Sequence, residues 1–201
     1  MSISSLRFLP ASRGTLMRLR QQLNLVVRGK EILEMRREQL IKELFEIMDK
    51  LKERDSIEHE YLRALEEVCR LRALRGEYEY RSITSLIEPP KAEVLLISIQ
   101  GVTVPQVRIT RDPDLSKIKD PEYRRSFEML WKVLKKLFEL ANLEVAVEKL
   151  SKQLNYINRI VNSLEKNVIP NLKEAIRYVE EKVDEEMLEE FVRLREIAKE
   201  V

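Results

Sequence analysis

The residues best suited to chemistry are few. The chain has one histidine, His59, and one cysteine, Cys69, ten positions apart. A zinc or other transition-metal site needs three or four such ligands converging, and no further His or Cys exists to complete one. His59 therefore reads as a helix-surface residue and Cys69 as a small residue near an apolar seam. There is no glycine-rich phosphate loop and no strand–turn–helix nucleophile elbow. Interleaved Glu and Lys could serve as acid–base pairs, but at helical spacing they read as solvated faces. No catalytic constellation, metal site or cofactor site emerges from the residues.

The remaining chemistry is electrostatic. Residues 1–30 carry Arg7, Arg13, Arg18, Arg20, Arg28 and Lys30 and no acid, whereas residues 180–201 carry nine acids against four bases. This basic end could meet phosphate, yet it lacks interleaved aromatics beyond Phe8, and acids return at Glu31. Nucleic acid is not expected as a partner. If the two ends lie side by side, their opposite charges favour an antiparallel register over a slipped one, although each exposed pair contributes only about 0–1 kcal/mol.

The elements that must position these residues are long helices. Charged residues make up 36% of the 201 and aromatics 6%, with four glycines, a balance suited to coiled coils. From about Ser12 to Arg75, apolar residues recur at steps of three and four: Leu16, Leu19, Leu23, Val26, Leu33, Leu40, Leu44, Ile47, Leu51, Tyr61, Leu65 and Val68. The pattern weakens between positions 52 and 60, which predicts a stutter. A second seam runs from about Tyr123 to Lys199 through Leu130, Val133 or Leu134, Leu137, Leu150, Leu154, Ile157, Val161, Leu164, Val168, Ile176, Val179, Val183, Met187, Phe191, Leu194 and Ala198. Uninterrupted, each rod would be roughly 95–115 Å long at 1.5 Å per residue. Asp120-Pro121-Glu122 is a helix start. Pro170 falls inside the second seam and should bend that helix without ending it.

Between the rods, Pro89-Pro90 closes any helix. Glu93–Gln100 and Val102–Thr110 read as two strands turning near Gly101, with Pro105 confining the second to an edge or a bulge. A lone hairpin is marginal in water and must pack on something. The expected fold is all-α dominated: a long antiparallel two-helix coiled coil with a short β-hairpin insert. It is expected to be a single elongated domain over residues 1–201, with a helix at 12–75, the hairpin at 90–111 and a helix at 121–199. The longest apolar run, Val94 to Ile99, is far too short to span a bilayer. The N-terminus lacks a signal-peptide core, and one cysteine permits no internal disulfide. A soluble, intracellular protein is expected, and the Glu/Lys/Arg-rich composition leans towards a thermophile.

Several motifs resemble those of the D subunit of the archaeal A-type and vacuolar-type rotary ATPases. They are Ser12-Arg13, Gly29, Ile32-Leu33 and Arg36-Arg37-Glu38-Gln39-Leu40 near the start; Gly101-Val102-Thr103-Val104-Pro105 in the middle; and Val161-Asn162-Ser163-Leu164-Glu165, Val168-Ile169-Pro170 and Phe191-Val192-Arg193-Leu194-Arg195 near the end. The order is right and nearly the whole chain is covered. The departures are Ala11 and Ser12 where the family has Pro-Thr, and Glu34 where it usually has Lys.

The resemblance implies a non-catalytic central rotor shaft that carries torque between a membrane ion-translocating ring and a catalytic hexamer. Its implied partners are the catalytic A and regulatory B subunits, the small F rotor subunit and the C or d socket subunit. It would sit peripherally on the cytoplasmic face of the cell membrane, not inserted. Arg13, Arg20, Arg28, Arg36, Arg37, Asn162, Glu165, Arg193 and Arg195 would face the hexamer. Leu51, Tyr61, Leu65, Leu134, Leu137 and Leu150 would meet the small rotor subunit. Two other readings of the same pattern are a prefoldin-like chaperone subunit and a nucleic-acid-binding coiled-coil arm.

Overall fold

A computed structural model describes Pro10 and residues 12–200, with side chains to Ala198. The roles expected of Arg7 and Phe8, and the expectation that Met1 and Val201 share one end, lie outside these residues. The elements run α1 (Arg13–Leu51), α2 (Arg54–Arg75), α3 (Glu77–Thr84), β1 (Lys91–Ile99), β2 (Val102–Arg111), α4 (Pro121–Ser163), a π-helical turn (Leu164–Val168) and α5 (Ile169–Glu200). The fold is the expected one: long helices with a short antiparallel hairpin between them. Two compact units are present, one formed by residues up to 38 with 155–201 and the other by 39–154.

In the first unit, the start of α1 lies antiparallel to α5. Ser12 caps α1, its Oγ accepting the Thr15 backbone N–H at 3.1 Å. Leu19 packs with Ala175, Val179 and Val183, flanked by Leu16, Leu172, Ile176 and Tyr178. Arg20 donates to Glu180 at 2.6 Å, and Lys30 reaches Glu165 at 2.5 Å. As α1 numbers rise, the partner numbers fall, which is the antiparallel register that the opposite end charges favour.

Pro170 is accommodated by a widened turn. Its ring would clash with the carbonyl four residues back, and it has no N–H to donate. The five residues Leu164–Val168 adopt π geometry, so that the Ile169 N–H reaches the Leu164 carbonyl, and the helix then continues. The seam expected beyond Val183 is not buried by the described residues: Phe191 is 66% exposed and Leu194 60%. Arg13 lies against the Met187 thioether.

In the second unit, α2 lies antiparallel to α4. Arg54 pairs with Glu144, Glu60 with Lys136, and Arg75 with Glu122. The expected stutter is a break confined to Lys52-Glu53, after which Ile57 N–H bonds Glu53 O. The first rod ends at Arg75 as expected: Gly76, at φ 87°, breaks the helix, and the separate short helix α3 begins at Glu77. Asp120 caps α4 as expected, accepting from Glu122 N–H at 2.8 Å, with Pro121 at the first helical position. Val68, Leu71, Ile118, Tyr123 and Phe127 form one buried cluster of this unit, with Tyr80, Ile83 and Leu130 packed against it. Val133, not Leu134, is the buried member of the pair left open by the pattern.

The hairpin closes through Gln100 and Gly101, both at positive φ (48° and 74°), with Ile99 opposite Val102. Two positive-φ residues give the turn that matches strand twist. Pro105 pairs with Leu96 on a two-stranded sheet, so it does sit on an edge strand. The register irregularity lies elsewhere, next to Lys91 and Ala92.

Candidate functional site

The surfaces that could act on other molecules follow from which residues the pairing leaves uncovered. In the first unit, Arg20 and Lys30 form ion pairs across to α5 and the π-turn, and Arg20 stays about half exposed. The Lys30 ammonium, donating to Glu165, holds that carboxyl below its ordinary range, and Glu165 in turn raises Lys30. Arg28 is exposed and Arg36 and Arg37 are half-buried on the same helix. Between these bases α1 exposes Met17, Leu25, Ile32 and Met35. On the other side, Asn162 and Glu165 are exposed beside and within the π-turn, and Arg193 (3.9 Å from Glu189) and Arg195 are exposed near the end of α5. All nine residues of the hexamer-facing expectation thus fall in this unit. The surface they form mixes cations with single apolar side chains.

The π-turn adds a feature that the sequence reading missed. Thr15, Leu19, Leu172 and Ala175 form the floor of a groove of about 380 Å³, and Arg18, Gln22, Asn167 and Asn171 form much of its rim. On α1 these positions follow the i, i+3, i+4, i+7 spacing of one helical face. The short side chains of Thr15 and Ala175 leave the space open. The signal available in sequence was the polar pair Asn167 and Asn171 flanking Pro170, but only the turn geometry aims them at α1.

In the second unit, Leu51, Tyr61, Leu134 and Leu137 are half-buried and Leu65 is 37% exposed. Leu150 is a correction. It is 0% exposed, so it belongs to the chain's own core and offers nothing to a partner. Heptad spacing marks burial but not which chain does the burying. His59 is exposed, as expected of a surface helix residue, and Cys69 is also exposed. Among the described residues no group of three or more His, Cys, Asp or Glu is arranged to hold a metal ion.

The hairpin is tied down by two polar anchors on α4. Asn142 bonds both backbone groups of Val107: its Oδ1 accepts the N–H at 2.7 Å and its Nδ2 donates to the carbonyl at 2.9 Å. Asp112, just past β2, accepts from the Trp131 indole at 3.1 Å and the Lys135 ammonium at 2.7 Å. These donors hold the Asp112 carboxyl below its usual range, Lys135 contributing most. Glu88 is held down likewise, first by Lys117 and then by Arg111. The geometry is that of a scaffold with charged and apolar contact points; it brings no nucleophile and base together among the described residues.

The family whose model matches, over residues 15–199, is that of the ATP synthase D subunit. The chain belongs to that family. Similar relatives include the D subunit of an A-type ATP synthase of Halorubrum lacusprofundi, 29% identical over 92% of this chain and 86% of the relative. The D subunit of a V-type ATP synthase of Thermotoga neapolitana is 28% identical over 94% of this chain and 97% of its own length. That of an A-type ATP synthase of Methanoregula boonei is 27% identical over 96% and 97% respectively. Among the described residues no helix is long and apolar enough to cross a membrane.

Proposed function

We propose that this chain is the central-stalk rotor of a rotary A-type or V-type ATP synthase or ATPase, transmitting torque between the membrane ion-translocating ring and the catalytic hexamer. The observation that carries the reading is the family match over residues 15–199. The reaction stays on the hexamer, and this chain acts as a ligand whose orientation biases the conformation of each catalytic site. It requires residues 1–201 to work as one elongated domain.

The first unit faces the A and B subunits through Arg13, Arg20, Arg28, Arg36, Arg37, Asn162, Glu165, Arg193 and Arg195. A mixed cationic and apolar surface suits a bearing that must hold and slip, where a broad interlocking apolar patch would stall. The second unit carries the small F rotor subunit on Leu51, Tyr61, Leu65, Leu134 and Leu137, and its hairpin end meets the C or d socket subunit. In this reading the chain is peripheral, on the cytoplasmic face of the cell membrane.

Purification of the chain from its native source, with identification of the subunits that accompany it, tests the assembly. Recovery with the A, B and F subunits is the expected result. Recovery only as a hexameric chaperone particle, or with RNA in a salt-sensitive complex, would replace the reading.

A further inference from the structure

The turn between α4 and α5 interrupts a count of residues as well as a shape. In the first unit, Ile157, Val161, Leu164 and Val168 are kept from solvent before the proline, and Leu172, Ile176, Val179 and Val183 after it. Ile157, Val161, Val179 and Val183 are buried and the other four are half-buried. Each set runs in steps of four, three and four, the spacing of a coiled-coil seam. The step that joins the sets, from Val168 to Leu172, is again four, where the heptad requires three. Ile157 and Leu172 are thus fifteen residues apart, two heptads and one residue, and so are Val161 and Ile176. Carried through without that residue, the first seam would run on through Asn171, Ala175, Tyr178 and Lys182, and Lys182 is exposed.

One surplus residue in an α-helix turns everything beyond it by about 100° about the axis, which would swing the second seam off α1. A π-turn closes its hydrogen bond five residues back instead of four and so takes up one residue. Leu164–Val168 is such a turn, with the Ile169 N–H bonded to the Leu164 carbonyl, and it lies directly before the irregular step. A proline by itself has a simpler outcome: one bond is lost and the helix bends. We infer that the π-turn is a phase-setting device, which stores the surplus residue and so keeps the Leu172–Val183 seam of α5 on α1, while Pro170 fixes only where along the helix the turn lies. On its other side the turn is held by Lys30, which reaches Glu165 at 2.5 Å. Movement of the turn along the helix would rotate each residue it passed, so its position is a conformational setting of the long helix.

The test separates the surplus residue from the proline. Three variants of the full-length chain are compared by thermal unfolding and by crystal structure: Pro170→Ala, Pro170→Ala with Asn167 deleted, and Pro170→Ala with Arg177 deleted. Asn167 and Arg177 are both exposed. Pro170→Ala is expected to fold and to keep a π-turn between Val161 and Ile176. Deleting Asn167 from it is expected to give an uninterrupted α-helix, with Leu19 still on Val179 and Val183 and Tm unchanged or raised. Deleting Arg177 removes a residue inside the second seam, displacing either Val179 and Val183 or, if the turn closes, Leu172 and Ile176. It is expected to lower Tm by about 5 °C or more. An uninterrupted α-helix in Pro170→Ala, failure of that variant to fold, a π-turn that persists after Asn167 is deleted, or a loss of Tm on deleting Asn167 as large as on deleting Arg177 would overturn the inference.

Discussion

Arg20 and Glu180 stand 160 positions apart in sequence and 2.6 Å apart in space. Both side chains are about half exposed, so the pair adds at most about 1 kcal/mol. Its value is as a marker of register: it lies beside the buried contact of Leu19 with Val179. A variant with Cys69→Ser, Arg20→Cys and Glu180→Cys should form an intramolecular link with a short bis-maleimide, read by mobility on a denaturing gel after proteolysis between the two sites. Absence of the link in folded protein would contradict the antiparallel pairing.

Asn142 stands in for a neighbouring strand by bonding both backbone groups of Val107. Each such bond contributes about 0.5–1.5 kcal/mol. Asn142→Ala should therefore destabilise the protein by about 1–3 kcal/mol in denaturant titration, and hydrogen exchange at Val107 should accelerate before that of the α4 core. Unchanged exchange at Val107 would show that the hairpin is held by other means.

The Tyr123 hydroxyl is buried with no hydrogen-bond partner among the described residues, and burial pushes its pKa up. An unsatisfied buried polar group costs about 1–3 kcal/mol. Tyr123→Phe should leave stability unchanged or raise it by about 1 kcal/mol, whereas Phe127→Ala, in the same cluster, should cost about 3–5 kcal/mol. Thermal unfolding of the two variants checks this. A large loss in Tyr123→Phe would mean that the hydroxyl has a partner, such as an ordered water.

Local rules were legible in the sequence. The Asp120-Pro121 helix start, the turn at Gly101 and the end of helix before Pro89-Pro90 all follow them. Seam positions such as Leu40, Ile157 and Val179 were legible because burial repeats with the helix. The roles of Asn142 and of the groove at Asn167 and Asn171 were not legible, because each depends on a segment distant in sequence. Leu150 marks the same limit from the other side: its spacing predicts burial correctly but does not name the chain that covers it.

Acid should loosen the hairpin anchors. Asp112 and Glu88 have folded-state pKa values below their ordinary ones, so the stabilisation they give is complete above the unfolded values of about 3.9 and 4.3. It is lost as pH falls through the lowered folded values. Trp131, the single tryptophan, donates to Asp112 and reports this directly. Its emission should shift as pH drops below about 4, with a smaller shift in Asp112→Asn. Identical titrations in the two proteins would contradict the assignment of Asp112 as the anchor.

The exposed thiol of Cys69 offers a handle for the central claim. With the catalytic hexamer fixed to a surface and a bead attached through Cys69, addition of ATP should turn the bead continuously in one direction. Turnover of ATP by that same complex with the labelled chain held stationary would contradict the claim that this chain is the rotor.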